Sequence, residues 1–244
     1  MILPRRAFAL ARKELFSYLN APAFYGAVVF FLLFCSITLF YFQGYFALNS
    51  ATLRPYFLNF QTAFVFIIPV LTMKSWAEER KTGSLELLLT MPFSEWDLVL
   101  GKFISVMALL MMMLVLTIAL PLSLLPLGTF DGGVIMCEYA GALLLAASAT
   151  ALGLLLSSLS KNQAGSFLGC MAALVVVILV HQVTYTFNLP GWLSSLINFI
   201  SLSFHFQSFS KGVLDTRDLA FFILSTVLFL YLNTRVILFR KWSA

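Results

Sequence analysis

The 244-residue chain is 61% hydrophobic and 10% charged, with a mean hydropathy of +0.97 and a net charge of +5, where ordinary soluble domains carry about 25% charged residues. Almost nothing is left over for a water-soluble domain and there is no basic tract for nucleic acid, so the composition describes an integral membrane protein with no nucleic-acid partner expected. Backbone amides in lipid are satisfied only in helices or closed barrels, and the apolar runs are continuous rather than alternating, which predicts an all-α integral membrane bundle.

In chain order, residues 3–19 come first. As a helix they place Arg5, Arg6, Arg12 and Lys13 within one arc of about 120°, with Leu3, Ala7, Leu10, Ala11 and Leu15 elsewhere and Phe16 as the exception. The pattern predicts an amphipathic helix on the membrane surface, its bases near anionic headgroups, with Ala21-Pro22 turning the chain into the bilayer. A soluble cap on the bundle fits the same pattern. The bases are not followed by an apolar core, so no cleaved signal peptide is expected. No charge falls between Leu15 and Leu53, which places a first span at Phe24–Phe46. After Arg54-Pro55 the uncharged run Pro55–Met73 makes a second span, with Pro69 predicted to kink its inner end.

Residues 74–102 hold nine of the 25 charged residues. Trp76 to Lys81 continue the second span, and Gly83 breaks it. Ser84 opens a short helix with Leu85, Leu88 and Leu89 on one face and Glu86 pointing away; Pro92 stops it. Ser94-Glu95-Trp96-Asp97 is a capping signature, and a fresh helix runs from it into span three. The tip of this hairpin either docks in a groove on a partner or lies on the leaflet with Leu85 and Leu88 in lipid; amphipathicity fits both.

Span three follows Lys102 and runs to Phe130, with Pro121 and Pro126 loosening its outer end and Gly128 with Asp131-Gly132-Gly133 forming a turn. Span four, Val134–Leu159, carries Glu138 near its start, where an interfacial carboxylate is tolerated. Its small residues Gly141, Ala142, Ala146, Ala147, Ala149 and Gly153 allow close backbone approach and place it in the middle of the bundle. After the inner loop Ser157–Gln163, span five takes Ala164–Phe187, and Leu189-Pro190-Gly191 breaks it. Then Leu193, Leu196, Ile197, Ile200 and Phe204 recur opposite Ser194, Ser195, Asn198, Ser201 and His205, one uncharged amphipathic helix suited to an outer interfacial or re-entrant position within residues 188–218. Span six is Leu219–Thr234, with Arg235 snorkelling. Twelve bases fall on the side of both termini and residues 74–102, against Arg54, Lys211 and Arg217 on the other. The positive-inside rule places both termini and the polar stretch in the cytoplasm.

Catalytic constellations are sparse. Leu100-Gly101-Lys102-Phe103 lacks the leading glycine and the hydroxyl of a phosphate-binding loop. Gly165-Ser166 lacks the second glycine of an intramembrane serine-protease motif, and His181 and His205 read as local hydrogen-bonding groups near the outer interface. Of Met107, Met111, Met112 and Met113 only the first two share a face, which favours gap-filling over copper. Cys35, Cys137 and Cys170 stand alone as packing residues. Buried charge at mid-depth, the mark of an ion-driven carrier, is not evident. The chain is expected to be no enzyme and to bind no metal or cofactor itself.

The run Ala77-Glu78-Glu79-Arg80-Lys81-Thr82-Gly83-Ser84-Leu85-Glu86-Leu87-Leu88-Leu89-Thr90, then Pro92, Ser94, Gly101 and Lys102, resembles the first cytoplasmic loop of type-2 ABC exporter permeases. Ala11-Arg12-Lys13-Glu14-Leu15 before Ala21-Pro22, His205-Phe206, Gly212-Val213-Leu214-Asp215-Thr216-Arg217-Asp218 and Arg240-Lys241-Trp242 resemble the branch associated with gliding-motility permeases. The resemblance covers nearly the whole chain. It implies a single permease domain over residues 1–244 with an elbow helix at 1–20, six spans and a coupling helix in the loop 74–102. It also implies dimerisation with a second copy or paralogue, and docking on two separate cytoplasmic ATPase subunits that use ATP and Mg, in a bacterial inner membrane. By that likeness Glu78, Glu79, Arg80, Thr82, Gly83, Ser84 and Glu86 face the ATPase, with Leu85, Leu88 and Leu89 in the same docking tip. The branch is often paired with a membrane protein having a large periplasmic domain. The functional expectation is an ATP-driven exporter subunit, with a transducer or anchor acting on an envelope partner without solute transport as the alternative; the cargo is not implied.

Overall fold

A computed structural model describes residues 3–43, 52–90, 93–128, 130–186 and 190–243, which are helical with short connections and contain no strand. Six helical segments are long and apolar enough to cross a membrane: Pro22–Phe42, Arg54–Thr82, Glu95–Leu124, Gly132–Leu159, Gln163–His181 and Thr216–Lys241. The elements are α1 (Leu3–Leu19), α2 (Pro22–Ile37), α3 (Arg54–Thr72), α4 (Ala77–Thr82), α5 (Ser84–Thr90), α6 (Glu95–Thr117), α7 (Ala119–Leu124), α8 (Gly132–Leu159), α9 (Gln163–Thr186), α10 (Gly191–Ile200), α11 (Leu202–Phe209) and α12 (Thr216–Ser243). The expected ends of span one beyond Gln43, the stop at Pro92 and the break at Leu189 lie outside the described residues.

Lipid tails are as apolar as leucine, so packing and polar contacts rather than water exclusion decide which helices meet. α3 and α8 form the interior, and α2, α6, α9, α11 and α12 pack around them. α8 earns its central place through the small residues expected to do so: Gly141, Ala142, Ala146, Ala149 and Gly153 are buried. A Cβ on Gly141 would lie 2.5 Å from Phe209 Cβ, and one on Gly153 would lie 2.7 Å from Thr72 Oγ1. On the side of α3 away from the termini, Phe31, Phe57, Phe60, Phe64 and Tyr139 form a ring cluster, with Phe57 and Tyr139 edge to face at 4.8 Å and Phe31 stacked on Phe64 at 5.8 Å. It ties α2 and α8 to α3.

Local sequence sets the element boundaries. Pro22 and Pro55 sit in the first turns of α2 and α3, where a missing N–H costs nothing. Asp131 caps α8 by accepting from Gly133 N at 2.8 Å. The α6 axis is interrupted at Ile118, as Pro121 predicts. Proline removes the N–H that would bond the Thr117 carbonyl four residues back. Tyr56 Oη donates to that carbonyl at 3.3 Å, and the Thr117 and Tyr139 hydroxyls pair at 3.1 Å.

The segment after α9 departs from expectation. The single amphipathic helix over Leu193–Phe204 is two helices, α10 and α11, broken at Ser201, whose hydroxyl accepts from Phe204 N. Around the break, apolar side chains face outward and polar ones are enclosed. Leu196, Ile200 and Phe204 are exposed, while Ser201 and His205 are buried. His181 Nδ1 meets Asn198 Oδ1 at 2.9 Å and its Nε2 meets Gln207 Nε2 at 2.9 Å. His205 Nδ1 meets Asp218 Oδ1 at 2.6 Å and Nε2 meets the Phe199 carbonyl at 3.1 Å. The two histidines thus pin α10 and α11 to α9 and α12.

Gly141→Ala tests the central contact. The added methyl brings about 1 kcal/mol of helix propensity but overpacks against Phe209, which typically costs about 1–3 kcal/mol. The thermal midpoint of the solubilised protein is expected to fall for Gly141→Ala and to hold for Gly132→Ala, whose Cβ meets nothing within 4 Å.

Candidate functional site

The polar stretch folds as expected in outline. α4 extends α3 after a four-residue interruption, and Gly83 ends it in the left-handed region at φ 71°, with its N–H returning to the Arg80 carbonyl. Ser94 caps α6, its hydroxyl accepting from Asp97 N at 3.2 Å while the Asp97 carboxylate accepts from Ser94 N at 3.1 Å.

The interruption at residues 73–76 leaves α3 carbonyls and α4 amides without helical partners. Three helices supply them. Tyr18 of α1 donates to the Leu71 carbonyl at 2.8 Å and pairs with Ser75 Oγ at 3.0 Å. Ser157 of α8 accepts from Trp76 N at 3.2 Å and Ala77 N at 3.4 Å. Lys102 of α6 donates to the Ser75 carbonyl at 2.7 Å. Burial pushes the Tyr18 phenol above its usual range, so it holds its proton and remains a donor.

Lys102 is the centre of this arrangement. It is 1% exposed. Its ammonium pairs with Glu79 at 2.6 Å and Glu14 at 3.4 Å and lies 4.8 Å from the centroid of Trp76. α1 reaches it because Gly101 lets the two helices touch: a Cβ there would lie 2.7 Å from Leu10 Cδ2 and 3.1 Å from the Ala7 carbonyl oxygen. A cavity of about 270 Å³ opens beside the cluster, with Lys13, Glu14, Lys74, Glu78 and Glu79 on its walls.

The residues expected to face a partner divide into two sets. Glu78, Thr82, Gly83, Ser84 and Glu86 are exposed together, with Lys81 beside them. Glu79 and Arg80 turn inward, Glu79 to Lys102 and Arg80 to the Ser160 carbonyl at 3.1 Å. Leu85 is buried in an apolar cluster with Leu10, Trp76, Leu98, Val99, Leu230 and Ile237, and Leu88 packs against it. In the chain by itself Leu85 and Leu88 thus pack against their own bundle. The side chain of Leu89 lies outside the described residues, as do those of Arg5 and Arg6; Arg12 and Lys13 are exposed. Sequence reasoning took Lys102 as the end of a loop and passed over Glu14, Tyr18 and Ser157. One signal was present: a lone lysine two turns beyond a helix cap, among Leu98, Val99 and Gly101, needs a buried partner.

Beyond these contacts, a family model described as "ABC-2 family transporter protein" matches residues 47–235. Over 147 residues, 60% of the chain, the sequence is 29% identical to the "Probable multidrug ABC transporter permease YbhR" of Escherichia coli strain K12, and equally to that of strain O157:H7. The chain spans 39% of the length of those relatives.

Removing one partner of a buried ion pair typically costs about 3–5 kcal/mol because the other charge is stranded. Glu79 and Glu14 keep 20% and 18% of their side chains exposed, so Lys102→Met is expected near the lower end of that range in equilibrium unfolding. Adding Glu79→Gln is expected to restore part of the loss, and more than Glu14→Gln does. Equal recovery, or none, would contradict the geometry.

Proposed function

The chain belongs to the ABC-2 transporter family, and on that premise we propose that it is the membrane subunit of an ATP-driven exporter, moved by separate ATPase subunits. One observation carries the reading. The exposed tip Glu78, Lys81, Thr82, Gly83, Ser84 and Glu86 sits on a base wired through Lys102, Tyr18 and Ser157 to α1, α6 and α8. Through these contacts a load applied to the tip would reach three helices.

In this reading α4 and α5 form the coupling element and α1 is the elbow. The polar tip meets the ATPase, while Glu79, Arg80, Leu85 and Leu88 anchor it from behind. Two ATPase subunits, each using ATP and Mg, dock on a dimer of the membrane subunit. The second copy is supported by α9, whose outer face carries exposed Gly165, Gly169, Ala172 and Val176. Small residues four apart permit close helix contact in lipid. The excess of bases at the end holding α1, α4 and the last turn of α12 favours a bacterial inner membrane with both termini cytoplasmic. Residues 1–244 form one permease domain in this reading. The likeness of the terminal motifs to the gliding-motility branch supports a further partner with a large periplasmic domain, whereas the matched relatives carry a multidrug name; the cargo class is left to transport assays.

Coexpression with an ATPase subunit that lacks its own spans tests the proposal. Paired reversal of Glu78 and Glu86 to lysine is expected to weaken co-purification and coupled ATP turnover by about tenfold, equivalent to about 1.4 kcal/mol, with the fold intact. Leu85→Ser is expected to lower the thermal midpoint instead. Unchanged coupling in the charge-reversed pair would sink the assignment.

A further inference from the structure

At the end of the bundle opposite the termini, α8 carries a carboxyl group that the fold leaves unused. Glu138 is 1% exposed and its Oε1 has no hydrogen-bond partner. A buried ionised carboxylate costs several kcal/mol unless a donor or a cation reaches it. Glu138 is not walled off, because it lines a cavity of about 170 Å³ together with Thr52, Arg54, Phe130 and Asp131. Arg54 is the first residue of α3, and Glu138 lies six residues into α8, about 9 Å along it at 1.5 Å per residue. The cavity therefore sits where two spans enter the membrane, at the depth of lipid headgroups.

Its lining defines the ligand. With Glu138 ionised, two carboxylates against one guanidinium leave a deficit of one positive charge. Asp131 Oδ1 is already engaged by the Gly133 N–H at 2.8 Å, so the unpartnered oxygen of Glu138 is the strongest free acceptor. Phe130 is also part of the lining, and an aromatic ring can attract an ammonium group. A volume of 170 Å³ is well below the roughly 300–1,000 Å³ of sites for drug-sized ligands, which limits the occupant to a small amine. The described residues hold no group of three or more metal-ligating side chains, and Arg54 would repel a bare cation. Arg54 becomes favourable only if the cation carries an anion beside it.

We propose that this cavity binds a protonated primary amine with an adjacent phosphate, the chemistry of a phosphoethanolamine headgroup, with the amine on Glu138 and the phosphate at Arg54. A quaternary choline lacks the N–H donors that Glu138 needs and is bulkier. The source is either a membrane lipid or the soluble compound.

The test uses the full chain in detergent, titrated with short-chain phosphatidylethanolamine, short-chain phosphatidylcholine, free phosphoethanolamine and ethanolamine. Binding is followed by native mass spectrometry and by thermal midpoint. The wild type is expected to bind the ethanolamine lipid at least about tenfold more tightly than the choline lipid, a difference of about 1.4 kcal/mol. Glu138→Gln is expected to abolish that preference while folding as well as the wild type, since the amide is nearly isosteric with the carboxyl group. Arg54→Gln is expected to weaken phosphoethanolamine binding while sparing the response to ethanolamine alone. Equal stabilisation by free phosphoethanolamine, with no lipid preference, would support the same site with a soluble ligand. The proposal is overturned if the wild type responds to no amine probe, or if Glu138→Gln keeps the full preference.

Discussion

The interruption between α3 and α4 is the constraint on which the basic end of the bundle depends. Irregular backbone at a membrane boundary must find partners for every amide and carbonyl that helical geometry abandons. Tyr18, Lys102 and Ser157 provide them from three different helices. Lysine suits the central position better than arginine would. Its ammonium has three donors and no preferred plane, and it meets three acceptors, the Ser75 carbonyl, Glu79 and Glu14, at 2.7, 2.6 and 3.4 Å. The same atom satisfies the backbone, fixes α4 and holds α1. That economy ties the approach of α1 to Gly101 and the phase of α4 to one side chain.

The other interruption, within α6, is solved with neutral groups. Pro121 frees the Thr117 carbonyl and Tyr56 takes it. The contrast follows from surroundings. At the basic end water and headgroups are near enough to screen a cluster of charges, whereas the α6 break abuts the ring cluster of α3 and α8, where a hydroxyl costs far less to bury than an ion. Both breaks are closed by side chains from neighbouring helices. In a bundle whose exterior is as apolar as its interior, such specific polar closures fix helix register more firmly than apolar contact does.

This explains what was legible in the sequence. Six spans could be read because uncharged runs are a one-dimensional signal, and the Ser94 box and the Gly83 stop because capping chemistry is local. The central place of α8 followed from its small residues. The resemblance placed Glu79 and Arg80 toward a partner; their intramolecular partners lie 23 and 80 residues away, and helix phase across a break is not encoded locally. The faces of α10 and α11 were visible, but not which one turns inward. In lipid an apolar face fits the outside as well as the inside, so the buried histidine contacts decide. Glu138 lies near the start of α8 as read, yet its neighbours Thr52, Leu53, Arg54 and Phe130 lie outside that helix, so its burial could not be read from α8 alone.

The packing of Leu85 and Leu88 within the bundle bears on how the tip would work in the proposed role. Were Leu85 and Leu88 inserted in a partner, the apolar contact would hold the two proteins together, and α5 would be attached to its own bundle only through Gly83 and the following turn. With Leu85 packed beside Trp76, Leu98 and Ile237, and Arg80 bonded to the end of α8, the tip is instead clamped on both sides of the glycine. Lys241 adds a link from α12 to Glu95 at the start of α6, at 2.7 Å. In the proposed role, a partner meeting only the polar surface would bind through the exposed groups while the buried contacts hold the tip to the spans. Under that proposal, separating the two would let the contact be remade without loosening the bundle.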